Sequence, residues 1–348
     1  MRVLAFSKWM KGNAALAAYR VVWPFGELNK QQDFDNCTVI GEQDVRRLIV
    51  QRQLQRVLGY DLYVLQRLLI PSEGAKGFIG TLRDTGAKVV FETDDDISDD
   101  YRELGYKPWV EATIGQCDAI TVSTKHLGEV MARYKKPVYM LPNYLHTEWF
   151  GQVSLAAERV FDSLVIGLVG TRSHWGDWQL VLDALKIVKR KHPEVTIAVG
   201  GYRPPYLEDG IEGLKFFAPV PFEAYPALMR QFDILLCPLE ADDKFNWSKS
   251  GIGALEPMAA ARPINGKMGG AVPICSGDLP VYRRVVNNRH NGLLVKDGDW
   301  AAAIIQLVED APLRQRLAIN GLRWVRKHRD IKLAGPRWGA AYRKILEG

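Results

Sequence analysis

Short apolar runs recur along the chain and alternate with stretches in which apolar positions return every three or four residues. Runs of that length read as buried strands and the stretches between them as amphipathic helices. Their alternation is the mark of a parallel sheet covered by helices. Strands are predicted at residues 3–6, 62–65, 88–91, 119–122 and 138–141, and again at 164–169, 195–199, 215–217, 234–237, 272–275 and 292–295. After the run at 164–169, Trp178, Val181, Leu182, Leu185 and Val188 keep helical spacing and predict one helix. The runs at 3–6 and 164–169 each open a fresh strand–helix series. The expectation is therefore an α/β chain of two Rossmann-like, doubly wound domains facing across a cleft. The first spans 1–148, a linker 149–162 and the second 163–325, with a basic C-terminal helix at 326–348. Ligands of open α/β sheets bind at the carboxyl ends of the strands, so the loops there carry most weight.

A length of 348 residues suits two domains, each with its own core. No apolar run approaches the ~20 residues of a spanning helix, and the start of the chain lacks a signal-peptide pattern. Cys37, Cys117, Cys237 and Cys275 are widely spaced and read as reduced, buried thiols, which points to a cytoplasmic protein. The net charge of +6 is uneven, because residues 311–348 carry ten Lys/Arg against two Asp/Glu and the rest 36 against 38. This basic end, with Arg323, Arg326, Lys327, Arg329, Lys332, Arg337, Arg343 and Lys344, is either a solvated helix face or a stripe for phosphates or anionic lipid.

Two loops of the second half hold candidate chemistry. Gly170, Thr171, Arg172 and His174 follow a strand directly. Glycine lets backbone approach a ligand there, and Arg172 offers a fork of donors to phosphate oxygens. The other reading is a tight turn with a surface arginine. Further on, Asn246, Lys249, Ser250, Gly251 and Glu256 lie at the start of a predicted helix. Its free amides and Lys249 suit a diphosphate, and Glu256, six residues after Ser250, can accept from two ribose hydroxyls. Neither a G-x-G-x-x-G fingerprint nor a G-x-x-x-x-G-K-[ST] loop occurs, so dehydrogenase and kinase readings lose their support. In the first half Glu92, Asp94, Asp95, Asp96, Asp99 and Asp100 crowd after a strand. They read equally as a solvated loop or as catalytic and acceptor-binding carboxylates, with a metal site the weakest reading. His126 and the indoles Trp9, Trp23, Trp175 and Trp247 are lesser candidates, more often structural than functional.

These residues resemble the donor domain of GT-B fold glycosyltransferases of the large family-4-like group. The carrying segments are Lys249-Ser250 with Leu255-Glu256-Pro257-Met258-Ala259, then Ala271-Val272-Pro273-Ile274, Leu279-Pro280-Val281-Tyr282-Arg283 and Asn291-Gly292-Leu293-Leu294-Val295. The first half matches more loosely, through Tyr19-Arg20, Asp94-Asp95-Asp96, Asp118-Ala119-Ile120-Thr121-Val122 and Leu141-Pro142-Asn143, and is similar to members found in phage and bacterial genomes. Two departures stand out. Ser248 occupies the position, eight before the ribose Glu, where the group commonly has a sugar-contacting Glu. Residues 261–270, rich in Gly and Pro, look like an inserted mobile loop.

The resemblance implies transfer of a sugar from a nucleoside-diphosphate donor, UDP in preference to GDP, to a hydroxyl acceptor with retention, and no metal or tightly bound cofactor. Donor contacts are expected from Gly170, Thr171, Arg172, His174, Asn246, Lys249, Ser250, Gly251 and Glu256. Catalysis is expected from Arg172, Lys249, Asp94 and Asp95, and acceptor contacts from Lys11, Asn13, Arg20, Asp94 and Asp96. The acceptor favoured by charge and by the phage-like resemblance is a hydroxymethylated pyrimidine in DNA, modified in the host cytoplasm. A surface glycan or lipid-linked acceptor is the alternative, and no obligate protein partner is indicated. An inactive nucleotide-sugar or DNA-binding protein, or a sugar-nucleotide epimerase, would use the same fold.

Overall fold

The computed structural model describes residues 1–8, 14–97, 107–151, 159–264, 267–296 and 298–348. Lys11 and Asn13 of the expected acceptor set, together with Trp9, Asp99 and Asp100, lie outside the described residues. The chain divides into two compact units. One holds Met1–Tyr144, Ser248–Ser250 and Ile331–Gly348, and the other Leu145–Trp247 and Gly251–Asp330. These divisions differ from the expected boundaries at 148 and 326. The Thr147–Gly151 helix belongs to the second unit, where Thr147 Oγ1 donates to Asp330. At the far side of the expected linker, Arg159 reaches the Asp233 carboxylate at 2.6 Å.

In the first unit six parallel strands, β1 (Arg2–Ser7), β2 (Asn36–Gly41), β3 (Leu62–Gln66), β4 (Lys88–Thr93), β5 (Ala119–Val122) and β6 (Val138–Met140), lie in the order β2-β1-β3-β4-β5-β6. Side chains alternate between the two faces of a strand. Leu4, Phe6, Tyr63, Leu65, Val89 and Phe91 thus join one core, while Val3, Ala5, Leu62, Val64 and Val90 join the other. The second of these cores is completed by Trp338, Tyr342 and Ile345 of the C-terminal Ala334–Glu347 helix. Strand β2 was not anticipated. Its residues, Asn-Cys-Thr-Val-Ile-Gly, are weakly apolar and half-buried, and they are held as an edge by register with β1 from Arg2↔Asn36 to Ser7↔Gly41.

The second unit repeats the plan with β7 (Val165–Gly170), β8 (Thr196–Gly201), β9 (Lys215–Phe217), β10 (Ile234–Cys237), β13 (Val272–Ser276) and β14 (Leu293–Val295), ordered β14-β13-β10-β7-β8-β9. From β7 the chain winds one way to β8 and β9, then returns to lay β10 on the other side of β7. The loops after β7 and β10 therefore leave the sheet in opposite directions, which opens a crevice at the carboxyl ends of those strands. The expected helix after β7 is broken into Trp175–Gln179 and Leu182–Lys191 by a tighter turn, in which Leu180 N and Val181 N bond three residues back. Between β10 and β13, where a loop was expected, β11 (Arg262–Ile264) and β12 (Lys267–Gly269) form an antiparallel pair. Pro263 is tolerated there because a two-stranded ribbon has open edges.

Candidate functional site

The carboxyl end of β7 is built for close backbone approach. Gly201, at φ +104°, stands so near that a Cβ would lie 2.3 Å from Gly170 O. Thr171 leads into the Arg172–His174 turn, where Thr171 Oγ1 and Ser173 Oγ are 2.8 Å apart. Arg172 is exposed, its guanidinium 5.4 Å from the Tyr202 ring centre and 5.8 Å from that of Trp175. Ring faces steady the planar cation while its N–H groups stay available to an anion. This aromatic shelf is itself fixed, since Trp175 Nε1 donates to Tyr202 O at 3.2 Å and Tyr206 OH donates to Trp175 O.

Asp177, buried at the first turn after this loop, joins it to the loop after β10. Its Oδ1 accepts from Glu240 N and from Asn246 Nδ2, both at 2.9 Å, and its Oδ2 lies 3.1 Å from His174 Nδ1. Asn246 also donates to Glu240 O at 3.1 Å. Burial and the Asp177 charge push the Tyr206 hydroxyl up to about 12. Four residues expected from the sequence, Gly170, Thr171, Arg172 and His174, are thereby brought together with a fifth, Asn246. The joint itself, Asp177, was missed. The only signal for it was a carboxylate three residues after a histidine.

The Ile252–Ala260 helix begins at Gly251, whose φ of +73° is left-handed and whose Cβ, if it had one, would sit 3.1 Å from Val281 O. Pro257 lies inside this helix and cannot donate to Gly253 O. The Cys237 thiol donates to that carbonyl instead, at 3.4 Å. One residue earlier, Glu256 is buried and its Oε2 accepts from Tyr225 OH at 2.8 Å. Burial and the Glu256 carboxylate drive the Tyr225 pKa well above its ordinary value, which keeps it a donor. From Ile252 to Glu256 the helix rises on the order of 6 Å.

The segment just before this helix is grouped with the first unit. Thr124 Oγ1 donates to Ser248 O at 3.0 Å, and Asn143 Nδ2 donates to Ser250 Oγ at 2.9 Å. Lys249 between them is half-buried. Asn143 Oδ1 in turn accepts from Arg20 Nη1 at 2.7 Å, while Arg20 Nε donates to Glu92 at 2.8 Å. Arg20 sits in a wider, π-type turn, Ala18–Val22, and is fully buried. It was expected to touch acceptor. The structure instead makes it an internal tie between Glu92, Asn143 and the Leu141 carbonyl.

The described part of the acidic cluster after β4, Glu92 to Asp96, is not a solvated loop. Asp94 and Asp96 are buried, and Asp95 is half-buried with its Oδ2 2.7 Å from Arg67 Nη1. Asp94 is pushed up to about 6 by burial and then by Asp95, against the pull of Arg67. Glu92 is pushed up to about 7, because burial outweighs the attraction of Arg20 and Asp94 adds repulsion. Asp94 and Asp96, expected to contact acceptor, have buried side chains. His126 lies on the Lys125–Met131 helix, 3.7 Å from Glu129. Trp23 packs edge-on against Tyr19, and Trp247 donates to Ala241 O. Among the described residues no group of three or more His, Cys, Asp or Glu is placed to hold a metal ion, and no helix is long and apolar enough to cross a membrane.

Comparison with known proteins matches residues 163–310 to the family described as glycosyl transferases group 1. A D-inositol 3-phosphate glycosyltransferase from Stackebrandtia nassauensis is 26% identical over 269 residues, 68% of this chain and 57% of that protein. A phosphatidyl-myo-inositol mannosyltransferase from Mycobacterium leprae is 30% identical over 121 residues, 34% of this chain and 28% of that protein. The matches thus span little more than half the length of one curated relative and about a quarter of the other. Among solved structures, Anabaena HepE in complex with UDP and glucose aligns with a TM-score of 0.67 at 14% identity, over 98% of this chain and 99% of that one. Trehalose-6-phosphate from E. coli bound with UDP-2-fluoro glucose aligns at 0.63 and 12% identity, over 100% and 99% of the two chains. At these identities the likeness establishes the fold, which is GT-B.

Proposed function

From a chain with the GT-B fold, whose residues 163–310 match the glycosyl transferases group 1 family, we infer a glycosyltransferase that uses a nucleoside-diphosphate sugar. The observation that carries the reading is Glu256, a buried carboxylate aligned by Tyr225. It lies one turn into the helix that opens at Gly251. Glu256 accepts the ribose hydroxyls, and the diphosphate meets the helix start, Lys249 and Ser250. Arg172 supplies a second cation from its aromatic shelf. UDP is the nucleotide favoured, since two of the structural neighbours are complexes with UDP or a UDP-sugar.

In the reaction the bond from the anomeric carbon to the β-phosphate oxygen breaks, and an acceptor oxygen bonds to that carbon. Negative charge grows on the departing diphosphate, and preorganised cations and amides lower the barrier by stabilising it. We propose retention, with the departing phosphate oxygen taking the acceptor proton. An inverting course needs a protein base, and Asp95 is the half-buried carboxylate of the acidic cluster from which to seek one.

The acceptor proposed is a hydroxyl of a polyol or glycan, lipid-linked or free, because both curated relatives are named for inositol-containing substrates. DNA carrying hydroxymethylated pyrimidines is the second reading. It is favoured by the exposed Arg323, Arg326 and Lys327 at the end of the Ala311–His328 helix. In the first unit, by contrast, Arg46 and Arg47 pair with Glu42 and Asp44 of their own helix. The test is incubation with a panel of UDP- and GDP-sugars against inositol phosphates, oligosaccharides and modified DNA, with products identified by mass and their anomeric linkage by NMR. Sugar transfer to a polyol or glycan from a UDP-sugar with the donor's anomeric configuration is expected. Glucosylated nucleosides as the sole product would replace the first acceptor with the second. Free sugar or epimerised donor without transfer would overturn the activity.

A further inference from the structure

We propose that Asp177 is a positioning residue that holds His174 as its Nδ1–H tautomer, so that His174 Nε2 offers a lone pair to a hydroxyl of the donor's sugar. This rests on the nucleotide-sugar reading and deepens it.

Asp177 Oδ1 is already fixed by two donors, the Glu240 amide and the Asn246 carboxamide N–H. Its Oδ2, 3.1 Å from His174 Nδ1, can only accept, so the imidazole proton belongs on Nδ1. In the neutral ring Nε2 is then an acceptor. It makes no protein hydrogen bond among the described residues, and the His174 side chain is 31% exposed. Only glycine at 170 leaves room for the ring. Its Cδ2, the atom beside Nε2, lies where a Cβ on Gly170 would be 2.8 Å away. The carboxylate behind and the glycine beneath therefore aim one lone pair out of the loop after β7. Phosphate oxygens are acceptors and gain nothing from a lone pair, whereas a sugar hydroxyl donates to it. Arg172, two residues earlier, covers the anionic part of the same ligand.

The test exploits the asymmetry of the Asp177 contacts. In Asp177→Asn the amide oxygen must stay with the two donors at the Oδ1 position, which turns the NH2 toward His174 and forces the Nε2–H tautomer. Nitrogen-15 NMR of the His174 ring should show Nδ1–H in the wild type and Nε2–H in the variant. Asp177→Asn should weaken UDP-glucose binding about tenfold relative to UDP, whose affinity should change less than twofold. His174→Phe should show the same selective loss, and the double variant no further loss. The inference is overturned by an Nε2–H ring in the wild type, by an unchanged tautomer in Asp177→Asn, or by equal losses for UDP and UDP-glucose. Should Asp177→Asn fail to fold, the wild-type tautomer and His174→Phe decide alone. A wild-type protein that binds neither UDP nor UDP-glucose refutes the nucleotide-sugar reading, while the tautomer measurement still separately judges the Asp177–His174 pairing.

Discussion

Lys249 and Glu92 show how far position governs what a charged side chain can do. Lys249 is half-buried on a segment whose neighbours are tied by Thr124 and Asn143, so its backbone is held in place. If it meets the leaving diphosphate, Lys249→Ala should lower turnover by roughly 10²–10³ with little change in thermal stability, as loss of an oxyanion-type donor does. Steady-state kinetics on the folded variant check this. Glu92 does the opposite job. It is buried against Arg20, and its pKa rises from an ordinary 4.5 to about 7, so the fold favours its protonated form. Stability from that preference is complete below about 4.5 and is lost as pH climbs through about 7. Across that window the melting temperature of the wild type should fall on the order of 5–10 °C, and Glu92→Gln should flatten the decline. Parallel curves for the two proteins would show that Glu92 does not titrate there.

Among the elements, the Ile252–Ala260 helix carries the donor side of the account, and its start depends on Gly251. A side chain there would pay the left-handed penalty of roughly 1–2 kcal/mol and press on Val281 O. Gly251→Ala should therefore cost about that much in chemical denaturation and weaken UDP binding through the displaced helix start. Most elements were legible in the sequence because buried parallel strands are short, apolar and separated by periodic helices. Strand β2 and the β11–β12 pair were not, since edge strands are held by a partner's register rather than by their own apolarity. The loops proposed for the donor stand out in the sequence because glycine close to Arg or Lys, as at Gly170 and Gly251, is a local pattern. The roles of Asp177, Asn143 and the buried Arg20 are set largely by contacts distant in sequence, which local pattern does not reveal. An arginine in the first loop has the local look of a ligand contact, and its pairing with the buried Glu92 is visible only in the fold.

At the scale of the molecule, the C-terminal residues 331–348 complete the core of the first unit although they follow the second in sequence. Trp338 is fully buried there, against Tyr144 and near Arg20. Trp338→Ala should destabilise by about 3–5 kcal/mol, lowering the unfolding transition of the first unit. Calorimetry in which that transition is unmoved would contradict the role. The account as a whole stands on the pairing of Glu256 with a ribose, and the affinities of UDP and 2′,3′-dideoxy-UDP for wild type and Glu256→Ala test it most directly. Hydrogen bonds to a carboxylate contribute about 1.5–3 kcal/mol, so removing the two hydroxyls should weaken wild-type binding at least tenfold and weaken Glu256→Ala no further. An equal loss in both proteins, or none in either, would contradict the claim.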